Sequence, residues 1–150
     1  MSTTPKHTPL SIAIIGATGA VGGEALKTLL AEDQFNRLTI FGRREVPGVS
    51  SAKVVQQKID IFDPATYENH LAGHDAAICC LGVGEPSKMS KEDFLKIDKT
   101  AVLDFAKTCK QAGVKHFELL ASVGISADSS SFYLRSKGEL VEELKALDFD

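Results

Sequence analysis

The sequence predicts a doubly wound α/β domain, a parallel sheet of five strands in the order 3-2-1-4-5 with helices on both faces. Three observations predict it. Short apolar runs alternate with stretches of helical spacing, the pattern that builds parallel sheets. The first run, Ile12-Ala13-Ile14-Ile15, ends in glycines at 16, 19 and 22 that lead straight into a helical pattern. Right-handed crossovers around such a glycine turn then give the strand order.

Each element follows in turn. Ser11–Ile15 is a strand buried on both faces. The first helix has Ala25, Leu26, Leu29 and Leu30 on one face and runs to about Glu32. Arg37–Phe41 is the second strand, closed by Gly42-Arg43-Arg44. After a loop with Pro47 and Gly48, Lys53–Lys58 alternates weakly as a more exposed third strand. Pro64 suits the first position of a short helix reaching about Leu71. Asp75–Leu81 is the fourth strand, with Gly82 as its stop. Ser90 caps a long helix from Lys91 to about Ala112, and Gly113 ends it. His116–Ala121 is the fifth strand, and a polar loop, Ser122 to Ser131, leads into a last helix reaching about Leu147. Met1 to about Pro9 reads as a flexible tail, so the domain spans residues 10–150, with no internal repeat or dividing linker.

Composition bounds the function. The chain has 150 residues, 43% hydrophobic and 25% charged, as in a single soluble globular domain. A formal charge of −3 argues against nonspecific nucleic-acid or anionic-membrane binding. Cys79, Cys80 and Cys109 form no C-x-x-C pair and read as reduced core thiols, which suits a reducing compartment; the expectation is cytoplasmic. The N-terminal stretch lacks the apolar core of a signal peptide, and no apolar run is long enough to span a membrane. The four histidines show no metal-ligand spacing with cysteine or carboxylate, so no metal site is expected. Asp128–Ser131 reads as a helix-entry loop rather than a modification site.

In sheets of this class ligands bind beyond the carboxyl ends of the strands. The G-x-x-G-x-x-G turn lets backbone approach a pyrophosphate, and the first helical N–H groups point at its charge. The second strand ends in Arg43 and Arg44, where an NAD-binding domain carries an acid for the ribose hydroxyls. Guanidinium groups bind a 2′-phosphate bidentately, so NADP(H) is favoured over NAD(H). Tyr133 and Lys137 lie four apart and share one helical face. A nearby ammonium favours the phenolate, as general acid/base work requires. Ser122, at the end of the fifth strand, can donate to a substrate carbonyl where negative charge develops.

From about Leu10 onward these residues resemble the short-chain dehydrogenase/reductase superfamily, in its atypical and extended branches. GATGAVG at 16–22 resembles the glycine motif, Ser122 the catalytic serine, and Tyr133 with Lys137 the Y-x-x-x-K pair. CCLG at 79–82, KHFELLAS at 115–122 and FYLRSKGELVEE at 132–143 are similar to the atypical group around the Tat-interacting protein of 30 kDa. The resemblance implies a Rossmann-like fold and a division of labour. Gly16, Gly19 and Gly22 would hold the pyrophosphate, with Thr18 and Val21 lending backbone, and Arg43 would bind the 2′-phosphate. Asp60 and Ile61 would flank adenine, Leu81 and Gly82 would lie along the nicotinamide-side ribose, and Lys137 would bind that ribose and tune Tyr133. Extended members place an asparagine near Asp98, so no catalytic role is assigned to this aspartate. The family's chains continue beyond the position of Asp150 with a further strand and the segment that builds the substrate pocket.

The first reading is therefore an NADP(H)-dependent oxidoreductase acting on a small carbonyl or alcohol through Ser122, Tyr133 and Lys137. The second is an NADP(H)-binding regulator that serves a protein partner without turnover. The third is an NAD-dependent sugar-nucleotide epimerase-like protein, which uses the same Tyr–Lys pair. An uncovered fifth strand would also leave an edge open to self-association.

Overall fold

The computed structural model describes residues 8–150. The expected N-terminal tail therefore lies outside the described residues except for Thr8 and Pro9. Five parallel strands form one sheet in the order β3-β2-β1-β4-β5, as the sequence predicts. They are β1 Leu10–Ile15, β2 Phe35–Gly42, β3 Val54–Lys58, β4 Ala76–Cys79 and β5 His116–Leu119. The helices are α1 Ala20–Ala31, α2 Lys91–Leu95, α3 Val102–Gln111 and α4 Phe132–Ala146.

Side chains of β1 alternate between two cores, because successive residues of a strand face opposite sides. Ile12 and Ile14 pack with Leu26 and Leu29 of α1 on one face. Ala13 and Ile15 pack on the other face with Tyr67, Val102, Phe105 and Leu140. The sheet is thus covered on one side by α1 and on the other by α3 and α4, a Rossmann-like arrangement.

Two expectations need correction. The segment after Pro64 is not one helix but two short 3-10 turns, Pro64–Thr66 and Glu68–His70. Asp63 accepts from the Ala65 amide and opens the first, while Tyr67 drops fully buried into the core between them. Burying that ring fixes the chain where a continuous helix would carry it past the core. The long helix predicted from Lys91 is interrupted by a π-turn, Lys96–Ala101, between α2 and α3. Such turns widen the helix by one residue and re-aim side chains, frequently at functional sites. Ser90 does cap α2, its hydroxyl accepting from the Asp93 amide at 3.1 Å.

Candidate functional site

The loops that follow β1, β2, β4 and β5 enclose one continuous cleft along the carboxyl edge of the sheet. It begins at the glycine turn. Gly16 adopts φ +85°, and a Cβ there would lie 2.5 Å from the backbone carbon of Cys80, just past β4. A Cβ on Gly22 would lie 2.1 Å from the Gly16 carbonyl oxygen. The turn is drawn tight against β4 and against its own helix, which only glycine permits at these two positions. Gly19 precedes α1; among the described residues no side chain caps that helix, and its first turn carries no acid. The positive end of the helix dipole is thereby left facing the cleft, where it favours an anion.

The first half of the cleft is a cavity of about 360 Å³ running from Gly16–Gly19 to Arg43 and Arg44. Val46, Ile61, Phe62 and Leu81–Gly84 are also in its walls, and among the described residues no aspartate or glutamate lines it. This electrostatic character fits a phosphorylated ligand: two exposed guanidinium groups and a helix N-terminus, with no carboxylate to repel it. Ile61 is in the wall, joined by Phe62, which is 50% exposed and which sequence reasoning passed over. Asp60 is not in the wall. Its Oδ1 accepts from the Phe62 amide at 2.9 Å and its own amide donates to Thr66 Oγ1 at 3.0 Å. It therefore shapes the turn that presents Ile61 and Phe62.

The second half is a cavity of about 410 Å³ that shares Gly19 and Cys80–Gly84 with the first and extends past Val21 and Gly22 to Ser122, Tyr133 and Lys137. The three candidate catalytic residues thus open onto one space although they come from a loop and a helix. Ser131 caps α4, accepting from the Leu134 amide at 3.5 Å, and so starts the helix just before Tyr133. The Tyr133 ring leans on Phe94 of α2, with centroids 5.3 Å apart. One turn later Lys137 is only 3% exposed. The loop bearing Ser122 is held to this helix: Ser126 N–H donates to the Leu134 carbonyl at 3.2 Å, and a Cβ on Gly138 would lie 2.2 Å from the Ser126 carbonyl carbon.

Sequence reasoning gave no role to Asp98, which the structure places in the wall of the second cavity. Its Oδ2 lies 3.3 Å from Lys137 Nζ, and the two side chains are 3% and 4% exposed. The π-turn carries it. One signal for it existed in the sequence: Phe94, Ala101, Val102 and Phe105 stand at helical spacing around it, so Asp98 is an acid set in an apolar stripe.

Cys79 and Cys109 are buried as expected of core thiols, whereas Cys80 is half-buried and lines the cleft. Burial pushes Cys79 up to about 12 and raises Cys80, and Cys109 is raised for the same reason. All three are free. Among the described residues no cluster of three or more histidine, cysteine or acidic side chains could hold a metal ion, and no helix is long and apolar enough to cross a membrane.

Fold and cleft together define a nucleotide-binding α/β domain, and comparison with known proteins narrows this. Residues 16–148 match the NAD(P)H-binding family model, and the chain belongs to that family. Among curated proteins it is 36% identical over 142 residues to Protein HTATIP2 of Rattus norvegicus, covering 93% of this chain and 58% of that protein. It is 34% identical over 142 residues to the mitochondrial Protein FMP52-1 of Scheffersomyces stipitis, covering 93% of this chain and 62% of the relative. The chain thus spans about three fifths of the length of these relatives. Among solved structures, the Bordetella bronchiseptica enzyme WbmG in complex with NAD superposes with TM-score 0.73 at 17% identity, covering 98% of this chain and 53% of WbmG. The oxidoreductase ylbE of Lactococcus lactis superposes with TM-score 0.68 at 24% identity, covering 91% of this chain and 61% of ylbE. These likenesses show the fold, a Rossmann-like α/β domain.

Proposed function

We propose that this chain is the cofactor-binding and acid/base part of an NADP(H)-dependent oxidoreductase acting on a small carbonyl or alcohol. The observation that carries the reading is the continuity of the cleft: Ser122, Tyr133 and Lys137 open onto a cavity that runs into the glycine turn and on to Arg43 and Arg44. Gly16, Thr18, Gly19, Val21 and Gly22 would cradle the pyrophosphate on the N-terminus of α1. Arg43, with Arg44 beside it, would hold the 2′-phosphate, and the absence of any acid in that wall supports NADP(H) over NAD(H). Ile61 would lie against adenine beside Phe62, with Asp60 shaping their turn; Leu81 and Gly82 would lie along the nicotinamide-side ribose.

When bound, the nicotinamide supplies or accepts the hydride. The chain's own groups do the rest. Ser122 donates a hydrogen bond to the substrate oxygen, stabilising the negative charge that develops there. Tyr133 gives its phenolic proton to that oxygen during reduction and takes it back during oxidation. Lys137, buried beneath the tyrosine in the same helix, holds the ribose and favours the phenolate. The relatives named mitochondrial bear on location, and a cytoplasmic site for this chain stands as a proposal that fractionation would test.

The test is calorimetric titration with NADPH and separately NADH. Tighter NADPH binding is expected, with Arg43→Ala reducing that preference by roughly tenfold or more, the scale of a lost charge-assisted bidentate contact. A carbonyl panel with NADPH then reads turnover, which Tyr133→Phe should abolish. Tight binding without turnover by any member of the panel would favour a redox-sensing regulator. NADH preference with epimerisation of a sugar nucleotide would favour the third reading.

A further inference from the structure

The ion pair at the floor of the second cavity does not follow from the chemistry just described. Lys137 is assigned the task of favouring the Tyr133 phenolate, which a free ammonium does best. Yet Asp98 Oδ2 stands 3.3 Å from its Nζ, and water is nearly excluded from both. Two buried opposite charges at this distance act on a third group as a dipole, far weaker than the lone cation. The arrangement is built. Asp98 sits on the π-turn, Lys137 on α4, and a second ion pair between the same two elements, Lys99 Nζ to Glu139 Oε2 at 3.0 Å, holds them in register. Gly82 completes the niche: a Cβ there would lie 3.5 Å from Asp98 Oδ1, in ordinary contact, so any larger side chain would press on the carboxylate.

We propose that Asp98 is a positioning residue that sets the acid/base strength of Tyr133 by holding and partly neutralising Lys137, so that the working unit is Tyr133–Lys137–Asp98. The inference rests on the oxidoreductase reading for its purpose, but not for its test. Of the other charged groups near the unit, Glu118 of β5 lies 3.0 Å from His116 Nε2. Lys99 and Glu139 neutralise one another. Lys91 of α2 lies over the Phe132 ring, 4.9 Å from its centroid. Arg135 of α4 lies 6.0 Å from the same centroid and donates to the Ser129 carbonyl at 3.1 Å. From β4, Cys79 faces the pair as a neutral thiol. Among the described residues Asp98 is the only acid in the wall of the cavity that Tyr133 shares with Ser122 and Lys137.

The chain has two tyrosines and no tryptophan, so phenolate absorbance can be read without interference once Tyr67 is replaced. In a Tyr67→Phe background, spectrophotometric titration of the cofactor-free protein reports Tyr133 alone. Asp98→Asn, nearly isosteric, should move the phenolate midpoint down by about one pH unit, the effect of unmasking one nearby cation. Lys137→Met should move it up. An unchanged midpoint in a folded Asp98→Asn protein, checked by circular dichroism, overturns the proposal. Should Asp98→Asn not fold, the Asp98→Asn/Lys137→Met pair, which leaves no buried charge unpaired, carries the test. Its midpoint should stay within about half a unit of the parent, because a near-neutral pair has been removed; a rise equal to that of Lys137→Met alone overturns the proposal. An unmoved midpoint in Lys137→Met would instead count against the Tyr133–Lys137 coupling of the proposed function itself. Where turnover is found, the acidic limb of its pH profile should move with Asp98→Asn in the same direction as the phenolate midpoint.

Discussion

Histidine 74 shows how one buried polar residue ties the sheet to its connection and makes stability depend on pH. It is 3% exposed, with Nδ1 2.9 Å from the Leu71 carbonyl oxygen and Nε2 2.7 Å from Thr39 Oγ1. A carbonyl oxygen can only accept, so Nδ1 carries the proton and Nε2 accepts from the threonine hydroxyl. The neutral ring is fully satisfied; a second proton would set an N–H against that hydroxyl hydrogen and charge a buried site. Burial accordingly lowers the His74 pKa from its ordinary 6.5. The unfolded chain then binds a proton that the native state refuses, so stability is complete above about pH 6.5 and falls as pH drops through that value toward the folded pKa. The expected slope is at most about 1.4 kcal/mol per pH unit from this one group. Urea unfolding at intervals from pH 8 to 5 measures it, and His74→Gln should flatten the curve across that window. A curve that is already flat in the parent chain would refute the assignment.

At the level of elements, β5 is the exposed flank of the sheet. Among the described residues it hydrogen-bonds to one strand, β4, while its far side meets only the amide of Asp150, which donates to the Lys115 carbonyl at 2.9 Å just before the strand begins. Phe117 and Leu119 line an apolar groove beside it with Val141, Leu144 and Phe149. Edges of this kind pair with other edges unless charge or cover prevents it. For a protein of these 150 residues alone, sedimentation velocity should show association that grows with concentration, and a single monomeric species up to several hundred micromolar would count against it. The same elements show what the sequence could and could not reveal. The central strands β1 and β4 were legible because two-faced burial writes uninterrupted apolar runs such as Ile12–Ile15 and Ala76–Cys79, whereas β3, Val54–Lys58, was legible only from a weak alternation. The π-turn was not legible. Lys96–Ala101 contains no proline or glycine to mark it, and its Asp98 meets Lys137 on a helix 39 residues further along, a contact that only the folded chain reveals. Tyr67 hid the two short turns after Pro64 in the same way, since only the filled core shows why the chain stops being helical there.

On the scale of the molecule, the candidate site belongs to no single element. Its glycine turn lies between β1 and α1, its arginines follow β2, its floor comes from the loop after β4 and the π-turn, and its proposed acid/base residues come from the loop after β5 and from α4. The sequence announced the parts that carry a recurring spacing, the glycines and the Tyr–Lys pair, because their chemistry demands fixed offsets along the chain. It was silent on Phe62, and for Asp98 it offered only an acid set in an apolar stripe, since the parts of both are fixed only by folding. A cofactor laid along this cleft would touch four of the five strand ends at once, adding a second link between halves of the sheet already joined by the β1–β4 pairing and by the core around Tyr67 and Phe105. Binding should therefore stabilise the whole domain and not a local loop. At NADPH one hundred times its dissociation constant the gain is about 2.7 kcal/mol. For a domain of this size that corresponds to a rise in Tm of roughly 5–10 °C. Differential scanning calorimetry should show one transition moving upward as a unit, and Gly22→Ala, whose Cβ would meet the Gly16 carbonyl oxygen, should lose the shift. A second transition that stays in place while the first moves would mean that the cofactor closes only its own half of the sheet, and that the Ser122–Tyr133–Lys137 cavity is not mechanically coupled to the glycine turn.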